Sequence, residues 1–313
     1  MTSYSSGERT AAPARRLVIL GVALAMGATV LGGAVPAASA SAPPEGAYWH
    51  TRSLMTNSHP WRFGSKSDPY SLVQRSIMEE WSAPDATRWF GWRELETLPA
   101  TARDRKAWQR DGSPSRWSES IDGKTVKLST EPAKGRVNQV RDQRQWPEAR
   151  NKFELGGQWL TYEEVQRLPA DPDRLKGWLT EAARVGRIEQ GSVDHWLSAT
   201  LRVLLYNLPA PKEVRAAAYR ALLTLPHVRS GGDGVRDPLG RSGSAVVIDQ
   251  STGTGKKATA STVRLIVDTG RMVLLSSEQT VSLAGEPMPG KSYTQTMIEV
   301  GWTDSRPAVP ALP

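Results

Sequence analysis

Residues 192–228 read SVDHWLSATLRVLLYNLPAPKEVRAAAYRALLTLPHV, and their periodicity decides what the rest of the chain must be. Trp196, Leu197, Leu201, Leu204, Leu205 and Leu208 recur at the three- and four-residue spacing of one helix face. Pro209 and Pro211 end that helix, since proline lacks the N–H that the next turn would need. Val214, Ala217, Ala218, Ala221, Leu222 and Leu225 then form a second stripe that runs to Pro226. Two amphipathic helices joined by Leu-Pro-Ala-Pro make a helical hairpin. Its stripes need another apolar surface to bury against.

The downstream segment supplies it. GSAVVIDQ (243–250), TVRLIVD (262–268), MVLLSSEQTVS (272–282) and SYTQTMIEVGW (292–302) read as strands separated by turns, an antiparallel meander over 243–302. Asp268-Thr269-Gly270-Arg271 suits a tight hairpin with Gly270 at positive φ. Gly253-Thr254-Gly255-Lys256-Lys257 lacks phosphate-loop spacing and reads as a hairpin tip. Residues 304–313 form a Pro-rich tail.

Upstream, 41–46 is a flexible lead and 47–129 is strand-like, with AYWHTRSL, SLVQRSIMEEWSA and TRWFGWREL and turns at Pro84-Asp85, Asp111-Gly112 and Asp122-Gly123. Residues 130–159 are read as a basic surface loop. From 160 to 226 the chain is helical: Thr161 and Glu164 form a capping box with Leu160 and Val165 as its staple, and Asp171 caps a helix beginning at Pro172. The order strands, helices, strands predicts an α+β domain over 47–303, an antiparallel sheet with the helical hairpin on one face.

Leu17–Val35 is apolar apart from Thr29, follows Arg15-Arg16 and leads into Pro36 and Ala38-Ser39-Ala40. A basic head, an apolar stretch and a small-x-small exit form a secretory signal peptide cut after Ala40. Nineteen residues at about 1.5 Å each also just span a bilayer, so an uncleaved anchor stays open. Either way the body is extracytoplasmic, secreted or in the cell envelope. Export makes cytoplasmic cofactor chemistry and nucleic-acid binding poor expectations. The chain has no cysteine, which excludes disulfides, thiolate nucleophiles and zinc-thiolate sites. Net charge is +8, and the thirteen Lys/Arg against seven Asp/Glu in 101–152 account for the whole excess beyond residue 40.

LPADPDRLKGWL (168–179), LLYNLPAPKEVRAAAYRALLTLPHV (204–228), DPLGRSGSAVVID (237–249) and RLIVDTGRMVLLSSEQ (264–279) resemble an uncharacterised family of exported actinobacterial envelope proteins, often encoded beside extracytoplasmic-function sigma factors. The likeness covers most of 47–303. It implies a fold similar to periplasmic lipoprotein carriers and to periplasmic regulators of anti-sigma factors: a curved antiparallel sheet, an unclosed half-barrel, with helices in its concave face. The family has no established activity, so no functional residues carry over.

No catalytic constellation stands out. His50, His59, His195 and His227 share no i, i+3 or i+4 spacing, so no metal site is expected, and His227 reads as a structural cap. Glu79 and Glu80 point to opposite faces of a strand and cannot act together. Gly240-Arg241-Ser242-Gly243-Ser244 reads as a turn rather than a nucleophile elbow. The twelve tryptophans, against three phenylalanines, pose a choice between core packing and an apolar concavity. On the second reading Trp81, Trp89, Trp92 and Trp196 line a ligand cavity, and Arg103, Arg105, Lys106 and Arg110 meet an anionic head group or envelope polymer. The resulting expectation is a non-enzymatic envelope protein, without cofactor or metal, that binds a lipid or lipopeptide in the half-barrel. The alternative is a membrane-proximal interaction module whose partner is a membrane-bound regulator of the anti-sigma type.

Overall fold

The computed structural model describes residues 44–121, 124–140, 149–252, 259–288 and 291–313. The leader 17–40, the turn Asp122-Gly123, Trp146 and the tip 253–257 lie outside the described residues. The chain divides into two compact units, Met1–Ala40 with Ser118–Lys127, and Ser41–Trp117 with Leu128–Pro313. In the first, the described residues belong to the hairpin strands β4 (Arg116–Ile121) and β5 (Lys124–Ser129), whose outer ends extend into the second unit.

The second unit carries the main sheet. Its upstream strands are β1 (Tyr48–Phe63), β2 (Tyr70–Ser82), β3 (Arg88–Pro99) and β6 (Arg136–Gln139). Downstream come β9 (Val228–Arg236), β10 (Ser242–Thr252), β11 (Thr259–Asp268), β12 (Val273–Leu283), β13 (Glu286–Pro287) and β14 (Tyr293–Thr303). Among the described residues the order is β6-β3-β2-β1-β14-β12-β11-β10-β9, with β13 pairing β12, all antiparallel and open between β6 and β9. This is the expected α+β half-barrel. The β1–β14 pairing, Tyr48 opposite Thr303, welds the two strand blocks into one sheet.

The helices are α1 (Ala102–Arg110), α2 (Tyr162–Gln166), α3 (Pro172–Val185), α4 (Val193–Val203) and α5 (Lys212–Leu222). Local chemistry sets their ends as expected. Thr161 Oγ1 accepts from Glu164 N at 3.2 Å while Glu164 Oε2 accepts from Thr161 N at 2.8 Å, and Asp171 Oδ1 accepts from Arg174 N at 2.9 Å. Leu201, Leu204, Leu205 and Leu222 are fully buried, in one cluster with Val246, Leu265, Val267 and Met297 of the sheet. Each such leucine contributes roughly 1.5–3 kcal/mol. Ala217, Ala218 and Ala221 bring the α5 backbone close to its neighbours. Among the described residues no helix is long and apolar enough to cross a membrane.

Four local expectations need correction. Residues 102–110, read within a strand block, are the helix α1. Thr101 Oγ1 accepts from Asp104 N at 3.1 Å and nucleates it, a cap that the Thr-x-x-Asp pattern carries in plain sight. The basic segment 130–159 is not all loop: it contains β6 on the edge of β3 and the hairpin β7 (Phe153–Leu155) with β8 (Gln158–Leu160). The mostly exposed, polar Arg-Val-Asn-Gln of β6 has no face to reveal by alternation. The strand β9 likewise lies outside the expected meander, because Gly231, Gly232 and Gly234 give no strand pattern. In the β11–β12 turn the left-handed residue is Met272 (φ 53°), not Gly270. Asp268 Oδ1 accepts from both Gly270 N and Arg271 N at 2.9 Å, and this holds the early turn right-handed.

Candidate functional site

Parity along β1, β2 and β3 sorts their side chains onto two faces. Trp49, Thr51 and Glu80 face the helices: Trp49 Nε1 donates to Tyr206 O at 2.8 Å, and Asn207 Nδ2 donates to Glu80 Oε2 at 3.2 Å. On this concave face Ser53, Met78 and Trp92 form one row, Met55, Ser76 and Glu94 the next. Phe90 stands two residues from Trp92, with ring centroids 6.4 Å apart and planes at 25°. Met55, Met78, Phe90 and Trp92 are all half-buried, and none belongs to the helix–sheet core. The helices therefore fill the β10–β14 half of the concavity and leave an apolar shelf on the β1–β3 half. Gln295 Nε2 donates to Ser53 Oγ at 3.3 Å, while Ser76 and Ser277 hold buried hydroxyls without partners among the described residues.

The convex face of the same strands carries a polar cluster under the C-terminal tail. His50 lies between Glu79 (Nε2–Oε2 3.2 Å) and Glu299 (Nδ1–Oε2 3.3 Å) and stacks on Trp81 with centroids 4.9 Å apart. Arg52 approaches Glu79 Oε1 at 3.0 Å as an ion pair outside hydrogen-bond geometry, and its NH2 donates to Ala311 O at 2.9 Å. Glu79 and Glu80 do point to opposite faces.

The four tryptophans expected in one cavity do not converge. Trp81 is buried on the convex face with Trp89 opposite it, and Tyr48 meets Trp89 edge-on at 5.5 Å. Trp196 on α4 packs over Gly156, where a Cβ would stand 2.6 Å from its ring. Only Trp92 lies on the shelf. The three-residue step from Trp89 to Trp92 inverts the face, a signal present in the sequence. The shelf's other members, Met55, Met78 and Phe90, carry no motif.

Arg103, Arg105, Lys106 and Arg110 sit exposed on α1, and Arg110 pairs with Asp68 at 2.7 Å. Between them Asp104 is buried. Its burial is outweighed by Thr101 Oγ1 at 2.5 Å, Ser71 N at 2.9 Å and the nearby Arg62, so its pKa lies below the usual aspartate value.

His195 and His227, far apart in sequence, meet with ring centroids at 4.5 Å. Burial and then His195 lower the His227 pKa, against Asp194 and Asp249. Among the described residues no three His, Cys, Asp or Glu side chains form a metal cluster. A groove of about 600 Å³ lies between α5 and β9–β10, lined by Tyr219, Arg220, Asp233, Ser244, Asp268 and Met272 among others. There Ser244 Oγ donates to Asp233 Oδ1 at 2.6 Å, and among the described residues no histidine lines the groove. The turn 237–241 is a clamp: Asp237 Oδ2 pairs with Arg241, whose NH2 donates to Leu275 O and Met297 O beside two β-bulges.

No protein-family model matches the chain, and no curated protein does. A solved beta-barrel-like protein of a domain of unknown function from Brucella abortus aligns at 11% identity, covering 84% of this chain and 100% of its own, with a TM-score of 0.18.

Proposed function

We propose that this chain is a non-enzymatic extracytoplasmic envelope protein that holds a lipid-like amphiphile on the concave shelf of β1–β3. The observation that carries the reading is the juxtaposition of Met78 and Trp92, directly opposed across β2 and β3, with Phe90 and Met55 beside them outside the core. Flexible methionines and aromatic planes on a half-exposed concave surface suit an acyl chain, which needs contact area rather than directional bonds. At about 0.8 kcal/mol per methylene, ten buried methylenes supply about 8 kcal/mol before the costs of immobilisation. The Arg15-Arg16 head, Leu17–Val35 stretch and Ala38-Ser39-Ala40 exit support export to where such molecules occur.

Native mass spectrometry of the protein purified from its own envelope tests the reading. A co-purifying lipid or lipopeptide is the expected result. A bare chain that also leaves long-chain amphiphiles unbound overturns it, and a co-purifying membrane regulator favours the sigma-factor-linked interaction module instead.

A further inference from the structure

The end of α4 carries a half-buried cation that has no counter-ion among the described residues. Arg202 is half-buried, its Nε is enclosed without a hydrogen-bond partner, and among the described residues it has no ion pair. The other inward arginines are satisfied: Arg215 Nε donates to Met272 O at 2.9 Å, and Arg241 NH2 pairs with Asp237 at 2.6 Å. A guanidinium stays charged at any physiological pH, so a half-buried one whose Nε is enclosed without an acceptor leaves a charge-assisted bond unmade. Among the described residues no ion pair joins it to Glu80, whose Oε2 takes Arg88 at 3.3 Å and Asn207 at 3.2 Å.

Tyr206 follows Arg202 by one turn, and its hydroxyl is kept protonated by burial. Arg202, Glu80 and Tyr293 all lie within its electrostatic reach. Glu80 is on β2 and Tyr293 is on the concave side of β14, opposite Asn57 of β1. Trp49 Nε1 of β1 donates to Tyr206 O at 2.8 Å, so Tyr206 lies against the concave face of β1, and Arg202 stands one turn before it.

We infer that Arg202 is the head-group site of the amphiphile: its guanidinium takes a carboxylate or phosphate while a single acyl chain lies on Met78 and Trp92. Tyr206 is a hydroxyl donor beside the same anion. Arg is suited to this because its planar fork matches both oxyanions with two parallel bonds. The inference rests on the binding reading above and specifies the charge of its ligand.

The test is titration of the full chain, by intrinsic tryptophan fluorescence and calorimetry, with four probes: palmitate, palmitoyl lysophosphatidic acid, monopalmitoylglycerol and inorganic phosphate. Wild type should bind the two anionic amphiphiles at least about tenfold more tightly than the neutral one. Arg202→Met, which keeps the apolar stem, should abolish that preference by weakening the anionic amphiphiles far more than the neutral one; Arg202→Lys should retain part of it. Met78→Asp should weaken all three amphiphiles, with circular dichroism confirming that each variant folds. Wild type binding neutral and anionic chains equally, or Arg202→Met keeping the preference, overturns the head-group site and leaves the binding reading standing. Inorganic phosphate competing as well as the amphiphiles assigns a free-anion site and overturns it too. Binding of no amphiphile overturns both.

Discussion

Pro310 lies on Gly91: a Cβ built on that glycine would stand 3.0 Å from the proline Cγ and 3.2 Å from the Trp81 ring. The absence of a side chain at 91 therefore lets the C-terminal tail lie flat over β2 and β3, where it also accepts a bond from Arg52. Gly91→Val should lift the tail and cost roughly 1–3 kcal/mol, the range for overpacking. Limited proteolysis is the measurement: cleavage within 304–313 should accelerate in the variant, and an unchanged digestion pattern would contradict the packing.

Arg241 ties three elements through Asp237, Leu275 O and Met297 O. Arg241→Ala leaves the Asp237 carboxylate, fully buried, without its cation. The loss should be about 3 kcal/mol, at the low end for a broken buried pair because Arg241 is itself a third exposed. Urea unfolding of the two proteins checks it, with the slope expected to stay constant.

Burial of His227, and then the His195 ring beside it, makes stability pH-dependent. In the folded chain His227 titrates below its ordinary 6.5, so the folded state binds fewer protons than the unfolded state in that window. Its contribution is complete above 6.5 and is lost as pH falls below that value towards the folded pKa. The urea midpoint should drop between pH 7.5 and pH 5.5, and His227→Gln should shrink that drop. An identical drop in the variant would assign the effect elsewhere.

Asp104 runs the same test from the acid side. Its depressed pKa means that its stabilisation is present above the ordinary aspartate value of 3.8 and fades as pH falls through the folded pKa. Asp104→Asn keeps the shape but removes the charge that faces Thr101 Oγ1, Ser71 N and Arg62. A loss of about 1–2 kcal/mol at neutral pH is expected, converging with wild type as pH falls through the folded pKa.

Much of the helical block was legible because caps and stripes are local. Thr161, Glu164, Asp171 and Pro172 act within a few residues of themselves, and Leu197, Leu201 and Leu222 declare an inward face by spacing alone. The site was legible only in part. Trp92 could be nominated, and its separation in face from Trp89 could have been read from their spacing. Met78 as its partner could not, since nothing in the sequence says which residue of β2 will oppose it.

By itself, then, the sequence determined the strand–helix–strand order, the helical hairpin and its demand for a sheet, because period and capping are short-range. Tertiary structure alone decided that β1 pairs with β14, that the tail covers Gly91, that His195 meets His227, that Met78 opposes Trp92, and that Arg202 has no ion pair among the described residues. These depend on register and on which chain segments arrive where. A free guanidinium is defined by what fails to reach it in three dimensions.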